Sequence, residues 1–263
     1  MKITKKQWTN YQQRLNAINK KAEEEMRLWI TARGGYQAVE FEDAIAKAYE
    51  LATKYGEASA SLSALMYDAT AELSNASVPA ATVADTASLG EVSQAILGAS
   101  EFSQNDDYIS GVVGRLVKQA GADTTLQNAK RDGAEFAWIP SGDTCAFCEL
   151  LAAQGWQKAS KEAIKGNHAE HIHANCQCAF VVRFDDSSSL QGYKPNTNLY
   201  SETPGKTMEE KANAIRRQNY AANKDEINAQ KRITYAKKQE ERNSSTAEEE
   251  ATANFGETYL PIK

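Results

Sequence analysis

All four cysteines and all three histidines of this 263-residue chain fall in a single stretch, residues 143–178. The stretch contains a C-x2-C pair, then an H-x2-C pair of the same spacing and one further cysteine. Two residues between ligands allow a tight turn to direct both side chains at one ion, and a second pair completes a tetrahedron. The pattern therefore predicts a closed structural Zn²⁺ site. The candidate ligands are Cys145, Cys148, His173, Cys176 and Cys178.

Disulfide bonds are the alternative to a metal site for these cysteines. The rest of the sequence indicates the cellular compartment, which decides between the two. Residues 1–7 carry three lysines and lead into a polar helix, so we expect no secretory signal peptide. No run of about 18 apolar residues is present, so we expect no membrane-spanning helix. Thiols stay reduced in the cytosol, where clustered Cys and His residues favour a metal over disulfides.

The first half of the chain has helical periodicity. Thr4 and Gln7 form a capping box at the start of a predicted helix over residues 4–33, whose apolar residues recur at gaps of three and four. This apolar face either packs within its own domain or forms a seam for a partner protein. Four more helices are predicted: residues 41–55, ended by Gly56; residues 59–73; residues 89–97, ended by Gly98; and residues 108–120, capped by Gly121.

The pattern changes after residue 133. Residues 134–139 alternate small or charged residues with aromatic ones, and residues 178–184 form a second apolar run, so both predict strands. One strand lies on each side of the candidate ligands, which indicates a small sheet pinned by the ion. We expect so small a core to need the metal as a staple.

The C-terminal part has a different charge. Residues 206–242 hold ten Lys or Arg and six Asp or Glu, a net charge of +4 on a chain whose total is −5. This helical pattern contains a repeat at fifteen residues, with a basic pair followed by Tyr-Ala in each copy. Two interpretations stay open: a DNA contact through phosphates and stacking, or a solvated helix with internal ion pairs.

These patterns together predict a mainly α fold. The predicted parts are a helical N-terminal body (residues 1–120), a small zinc-stapled α+β module (121–186), a linker loop (187–205), a long basic helical arm (206–242) and a flexible acidic tail (243–263). The Asp-Asp-Ser-Ser-Ser run at residues 185–189 marks the end of the module, and we expect the arm to be separable from it.

Residues 123–184 resemble the minor head proteins of tailed phages, the Mu F-like head morphogenesis family. In that family D-x-C-x2-C is followed at a distance by H-P-N-C-R-C; here Ala174 replaces the proline and Gln177 the arginine, while the ligand types are kept. The motifs that carry the resemblance are GAEFAWIP at residues 133–140, DTCAFC at 143–148 and HIHANCQC at 171–178.

The resemblance implies a structural protein of the virion head and not an enzyme. It implies a few copies near the portal inside the capsid, with the portal protein and the major capsid protein as partners, after assembly in the host cytoplasm. The implied roles are head assembly and DNA packaging or ejection. The alternative is a zinc-dependent DNA-processing enzyme, such as a His-Asn-His nuclease using His168 or His171 as base. No paired carboxylates accompany these histidines, which favours the structural interpretation.

Overall fold

The computed structural model describes residues 1–141, 145–161, 178–187, 189–226, 228–229 and 231–236. Within them the fold is mainly helical, with a small three-stranded sheet. In chain order the elements are α1 (Lys5–Thr31), a 3₁₀ turn (Tyr36–Ala38), α2 (Phe41–Leu73), α3 (Leu89–Phe102), α4 (Asp106–Arg131), β1 (Glu135–Ile139), α5 (Ala146–Ala153), β2 (Gln157–Lys158), β3 (Ala179–Arg183), α6 (Thr197–Glu202) and α7 (Met208–Ala222).

Helix α1 begins at the predicted capping box, which is confirmed. The backbone N of Gln7 donates to Thr4 Oγ1 at 3.2 Å, and the backbone N of Thr4 donates to Gln7 Oε1 at 2.9 Å. The apolar face packs within the chain, against α2, α4 and the sheet, so the first of the two interpretations of this face is confirmed. Its buried apolar residues are Trp8, Tyr11, Leu15, Ala22, Met26 and Ile30.

Helices α2 and α4 are each continuous through a glycine at which we predicted an end. A Cβ at Gly56 would lie 2.9 Å from Thr86 Cγ2, and one at Gly121 would lie 2.6 Å from Ser59 Oγ. Both glycines therefore permit close packing of neighbouring segments, and the predicted helix ends were wrong because tertiary packing outweighs helix propensity. The predicted boundary between residues 120 and 121 falls inside α4.

The two predicted strands are confirmed as β1 and β3. The sheet order is β2-β1-β3, with both pairings antiparallel, and Trp138 lies opposite Phe180. At the far end of the β1–β3 pair, Arg183 Nε lies 2.5 Å from Glu135 Oε2. The short strand β2 was not predicted, because two residues carry no readable alternation.

The sheet is buried on both faces. On one face Ala137, Ala179 and Val181 pack in a cluster with Trp8, Tyr11 and Leu15 of α1. The other face carries an aromatic cluster that packs on α5. The sheet thus shares a core with the helical body, and the expectation that it depends on a metal staple is not supported. That aromatic cluster consists of Phe136, Trp138 and Phe180, with ring centroids 4.8 to 6.2 Å apart.

Two further contacts tie the ends of the described chain to this core. Ile3 pairs with Leu190: its backbone N donates to Ser189 O at 2.8 Å, and its carbonyl accepts from Gln191 N at 2.9 Å. Helix α7 packs the buried Ala212 and Ile215 against Ala146 and Leu150 of α5. In the parts of the chain that the structure describes, no helix is long and apolar enough to cross a membrane.

Candidate metal centre

Cys145 and Cys148 lie at the start of α5, after the segment that leaves β1. Cys145 is the N-cap residue, with φ −73° and ψ 155°, and its Sγ accepts a hydrogen bond from the backbone N of Cys148 at 3.5 Å. The first N–H groups of a helix have no partner within the helix, so a side-chain acceptor at the N-cap satisfies one of them.

The two sulfur atoms are spaced as metal ligands are. Cys145 Sγ and Cys148 Sγ are 3.5 Å apart. A disulfide needs about 2.05 Å, whereas two thiolates on one tetrahedral zinc at 2.3 Å each lie about 3.8 Å apart. The separation of the two sulfur atoms is compatible with the pair of zinc ligands that the C-x2-C spacing predicts.

Cys178 belongs to the same core region as this pair. It lies immediately before β3, whose first residue, Ala179, is paired with the last residue of β1, Ile139. Cys148 and Cys178 are both buried in the cluster beside the aromatic face of the sheet, and Cys145 packs against that cluster. The antiparallel pairing of β1 and β3 thus brings the two ends of the candidate ligand stretch to one edge of the sheet.

The remaining candidates, His173 and Cys176, lie outside the described residues, as do His168 and His171. Among the residues that are described, no three His, Cys, Asp or Glu side chains come together as a group that could hold a metal. The structure thus places three of the five predicted ligands in one region and leaves the composition of the full ligand set as a prediction.

The wall of this region is aromatic. Trp138 is fully buried, and its Nε1 has no hydrogen-bond partner within the described part of the chain. An unpaired buried N–H costs about 1–3 kcal/mol, so this indole is a donor with unused capacity.

A second polar site was not predicted from the sequence. A cavity of about 630 Å³ lies between α3, α4 and the segment before α3. Burial raises the pKa of the Asp123 carboxyl to about 6, a hydrogen bond from Gln119 Nε2 at 2.8 Å opposes that rise, and the charge of Glu91 adds to it. Arg115 also lines the cavity, and burial lowers its pKa. Arg115, Gln119 and Asp123 lie one turn apart on α4, and Glu91 lies on α3. The cavity forms only where these helices and the segment before α3 meet, so the sequence alone did not indicate it.

A protein-family model described as VG15 protein matches residues 2–203. The match runs from before α1 to the end of α6, and so takes in both the helical body and the segment with the cysteine pair. It ends before α7. No curated protein and no solved structure matches the chain.

Proposed function

The chain belongs to the VG15 protein family, a family of viral and phage proteins, and from that premise we propose that it is a minor head protein of a phage virion. The observation that carries the proposal is the extent of the match, which covers the helical body and the cysteine segment as one unit. The motifs at residues 133–140, 143–148 and 171–178, which resemble those of Mu F-like minor head proteins, support the finer assignment.

In this proposal the protein is a structural component that binds the portal protein and the major capsid protein. It assembles in the host cytoplasm, lies inside the head near the portal, and acts in head assembly and in DNA packaging or ejection. A shared core supports a structural role: the sheet, α1 and α5 pack together, which suits a part that must keep its shape inside an assembly. The proposal assigns no enzymatic activity to the chain.

The zinc site is part of the proposal. Cys145, Cys148, His173 and Cys176 would hold one Zn²⁺, and Cys178 is the substitute for His173 or for Cys176 if either of these does not bind. When bound, the ion fixes four side chains from two segments in a closed tetrahedral site and leaves no open position for a reaction. The N-cap position of Cys145 and the 3.5 Å sulfur spacing support this assignment.

Co-expression with the portal protein and the major capsid protein of the same phage tests the assignment to the head. We expect the full chain to co-purify with the portal ring and to enter assembled heads. Heads that form and package DNA equally well without the chain, together with no portal binding, would contradict it. Plasmid cleavage by the purified protein that is lost in His168→Ala would favour the nuclease alternative.

Elemental analysis tests the zinc site separately. After purification under reducing conditions without chelators, we expect one zinc per chain, lost in Cys145→Ser and in His173→Ala. Less than about half an equivalent of zinc in the unmodified chain would reject the site. Such a result for zinc would not contradict the proposal that the chain is a phage head protein, because portal binding is measured independently.

A further inference from the structure

Among the described residues, the C-terminal helical part of the chain is almost entirely exposed to solvent. Helix α7 packs on α5 only through its first half, and every described residue from Arg216 to Glu226 is exposed. Residues 224–226, 228–229 and 231–236 are also helical, and all of these are exposed except the half-buried Asn228. We call residues 216–236 the exposed arm. It lies beyond residue 203, where the family match ends, so nothing in that match assigns it a role.

The exposed arm repeats one local arrangement. In the first copy, Arg216 and Arg217 precede Tyr220 by four and three residues; in the second, Lys231 and Arg232 stand in the same way before Tyr235. Residues three and four apart are neighbours on a helix surface, so each tyrosine ring has two cations beside it. Tyr220 is 45% exposed and Tyr235 is 67% exposed.

The cations of the exposed arm outnumber its carboxylates. Five cations stand against two carboxylates, Asp225 and Glu226, which gives +3 on a chain whose total is −5. Within the described residues none of the five forms an ion pair, and Arg216 alone has a side-chain bond, donating to Asn213 Oδ1 at 3.0 Å. The solvated helix with internal ion pairs is therefore the less suitable of the two interpretations. The five are Arg216, Arg217, Lys224, Lys231 and Arg232.

We propose that the exposed arm binds the phosphate backbone of DNA. Lys and Arg side chains neutralise phosphates, and a tyrosine beside two cations can stack on a base or a sugar without reading the sequence. A second copy of the chain is a poorer partner, because two such arms bring like charges together and supply no apolar heptad seam. The acidic remainder of the chain confines the contact to the arm.

The test is fluorescence anisotropy with the purified full chain and a labelled 30-base-pair duplex, repeated with the single strand of the same sequence. The measurement needs no portal or capsid protein, so its failure is distinct from failure of the proposed head role. With three to five phosphate contacts, the slope of log K against log salt is expected to be about −3 to −4.5 on the duplex. Tighter binding of the single strand would identify stacking by the tyrosines as the larger contribution.

The decisive variant is Arg217→Gln/Lys231→Gln/Arg232→Gln. Each lost phosphate contact reduces the slope by about 0.9, so we expect a slope smaller by about 2.7 and affinity at least about tenfold weaker at 100 mM salt. The matched control is Lys5→Gln/Lys6→Gln/Lys130→Gln, which changes the net charge equally at exposed positions outside the arm and should bind as the parent chain does.

Three outcomes would overturn the proposal. The control could weaken binding as much as the arm variant, or the full chain could bind neither nucleic acid at 50 mM salt. The arm variant could instead leave DNA binding unchanged and alter only the sedimentation coefficient, which would assign the arm to self-association. All six substituted side chains are exposed, so circular dichroism is expected to be the same for both variants and the parent.

Discussion

The negative charge of Asp123 destabilises the folded state. Burial in the cavity between α3 and α4 raises its pKa to about 6, from an ordinary value of 3.8, in spite of the hydrogen bond from Gln119. A raised carboxyl pKa means that the folded state favours the protonated form. The stability it contributes is present below about pH 3.8 and is lost as pH rises through about 6. Asp85 and Glu91 line the same cavity, and Arg115 is the cation among its lining residues.

We predict that Asp123→Asn stabilises the protein at pH 8 by about 2 kcal/mol and changes little at pH 4. Asparagine keeps an oxygen for Gln119 and carries no charge, so only the desolvation cost is removed. Urea unfolding at both pH values measures the difference. The control is Asp225→Asn, at an exposed position of the arm, which should change stability by less than about 0.5 kcal/mol at either pH. An equal effect of Asp123→Asn at pH 4 and pH 8 would be inconsistent with the burial of this charge.

A hydrogen bond between Tyr67 and Asp132 links α2 to the end of α4. Tyr67 is 1% exposed, and its hydroxyl donates to Asp132 Oδ2 at 2.7 Å. The guanidinium of Arg131 donates to the same carboxylate and to the carbonyls of Pro79 and Ala80. The bond from Arg131 holds the pKa of Asp132 below its ordinary value. This network fixes the chain after α2 at the point where α4 leads into β1.

At the scale of elements, the features that could be predicted are those that depend on residues close together in the sequence. The capping box at Thr4, the two strands and the thiol pair at Cys145 and Cys148 follow from side chains within a few residues of each other. The continuity of α2 and α4 could not be predicted in this way. Only the segments that pack against Gly56 and Gly121 explain why glycine is present at these positions. Cys178 was a candidate from the sequence, and the register of β1 and β3 places it in the buried cluster that also contains Cys148. The cavity at Asp123, by contrast, depends on three elements meeting.

The crossing of α2 and α4 gives a test of this explanation. A Cβ at Gly121 would meet Ser59 Oγ at 2.6 Å, Ser63 Oγ at 2.8 Å and the backbone of Ser59 at 3.2 Å. We predict that Gly121→Ala destabilises the protein by about 1–3 kcal/mol, because one helix must shift. Gly98 lies in α3 with nothing within 4 Å of an added Cβ, so Gly98→Ala should stabilise by about 0.5–1 kcal/mol. The midpoint of denaturant unfolding measures both, and a gain in stability for Gly121→Ala would disprove the close crossing.

Helix α7 determines where the arm can be removed. Ala212 and Ile215 cover Ala146 and Leu150 of α5, and Lys211 Nζ donates to Tyr200 O at 2.8 Å and to Thr203 O at 2.5 Å. The arm predicted for residues 206–242 therefore begins with a packed helix. A chain ending at residue 205 exposes Leu150 and should lose about 3 kcal/mol or more of stability.

A chain ending at residue 223 keeps α7 and should unfold within about 0.5 kcal/mol of the full chain, since among the described residues it loses only those on the surface. Denaturant unfolding of the two truncated chains makes the comparison directly. Equal stability of the two truncated chains would show that α7 does not stabilise the fold. The chain could then be cut at the predicted boundary, before residue 206, without loss.

At the scale of the whole molecule, the sheet and the described part of the cysteine segment pack against the helical body. The sheet is covered by α1 on one face and by α5 on the other, and the start of the chain is paired with the loop after β3 at Ile3 and Leu190. Because α1 contributes buried side chains both to the core of the helical body and to the cluster on the sheet, we expect a single cooperative unfolding transition. We therefore expect a bound zinc to stabilise the start of α5 and not to be required for formation of the sheet.

Hydrogen exchange on a chain that cannot bind zinc separates these two roles of the metal. In Cys145→Ser/Cys148→Ser we predict that the amides of β1 and β3 keep their protection, because both faces of the sheet remain covered by apolar side chains. Helix α5 has eight residues and is too short to be stable on its own. Its amides should therefore exchange at least about tenfold faster once the ion no longer holds its first turn, a change of about 1.4 kcal/mol. Cys178→Ala, which leaves the proposed four ligands in place, should keep both the zinc and the protection of α5. Complete loss of protection in β1 and β3 would mean that the metal organises the sheet after all, with α1 packing onto it only when zinc is bound.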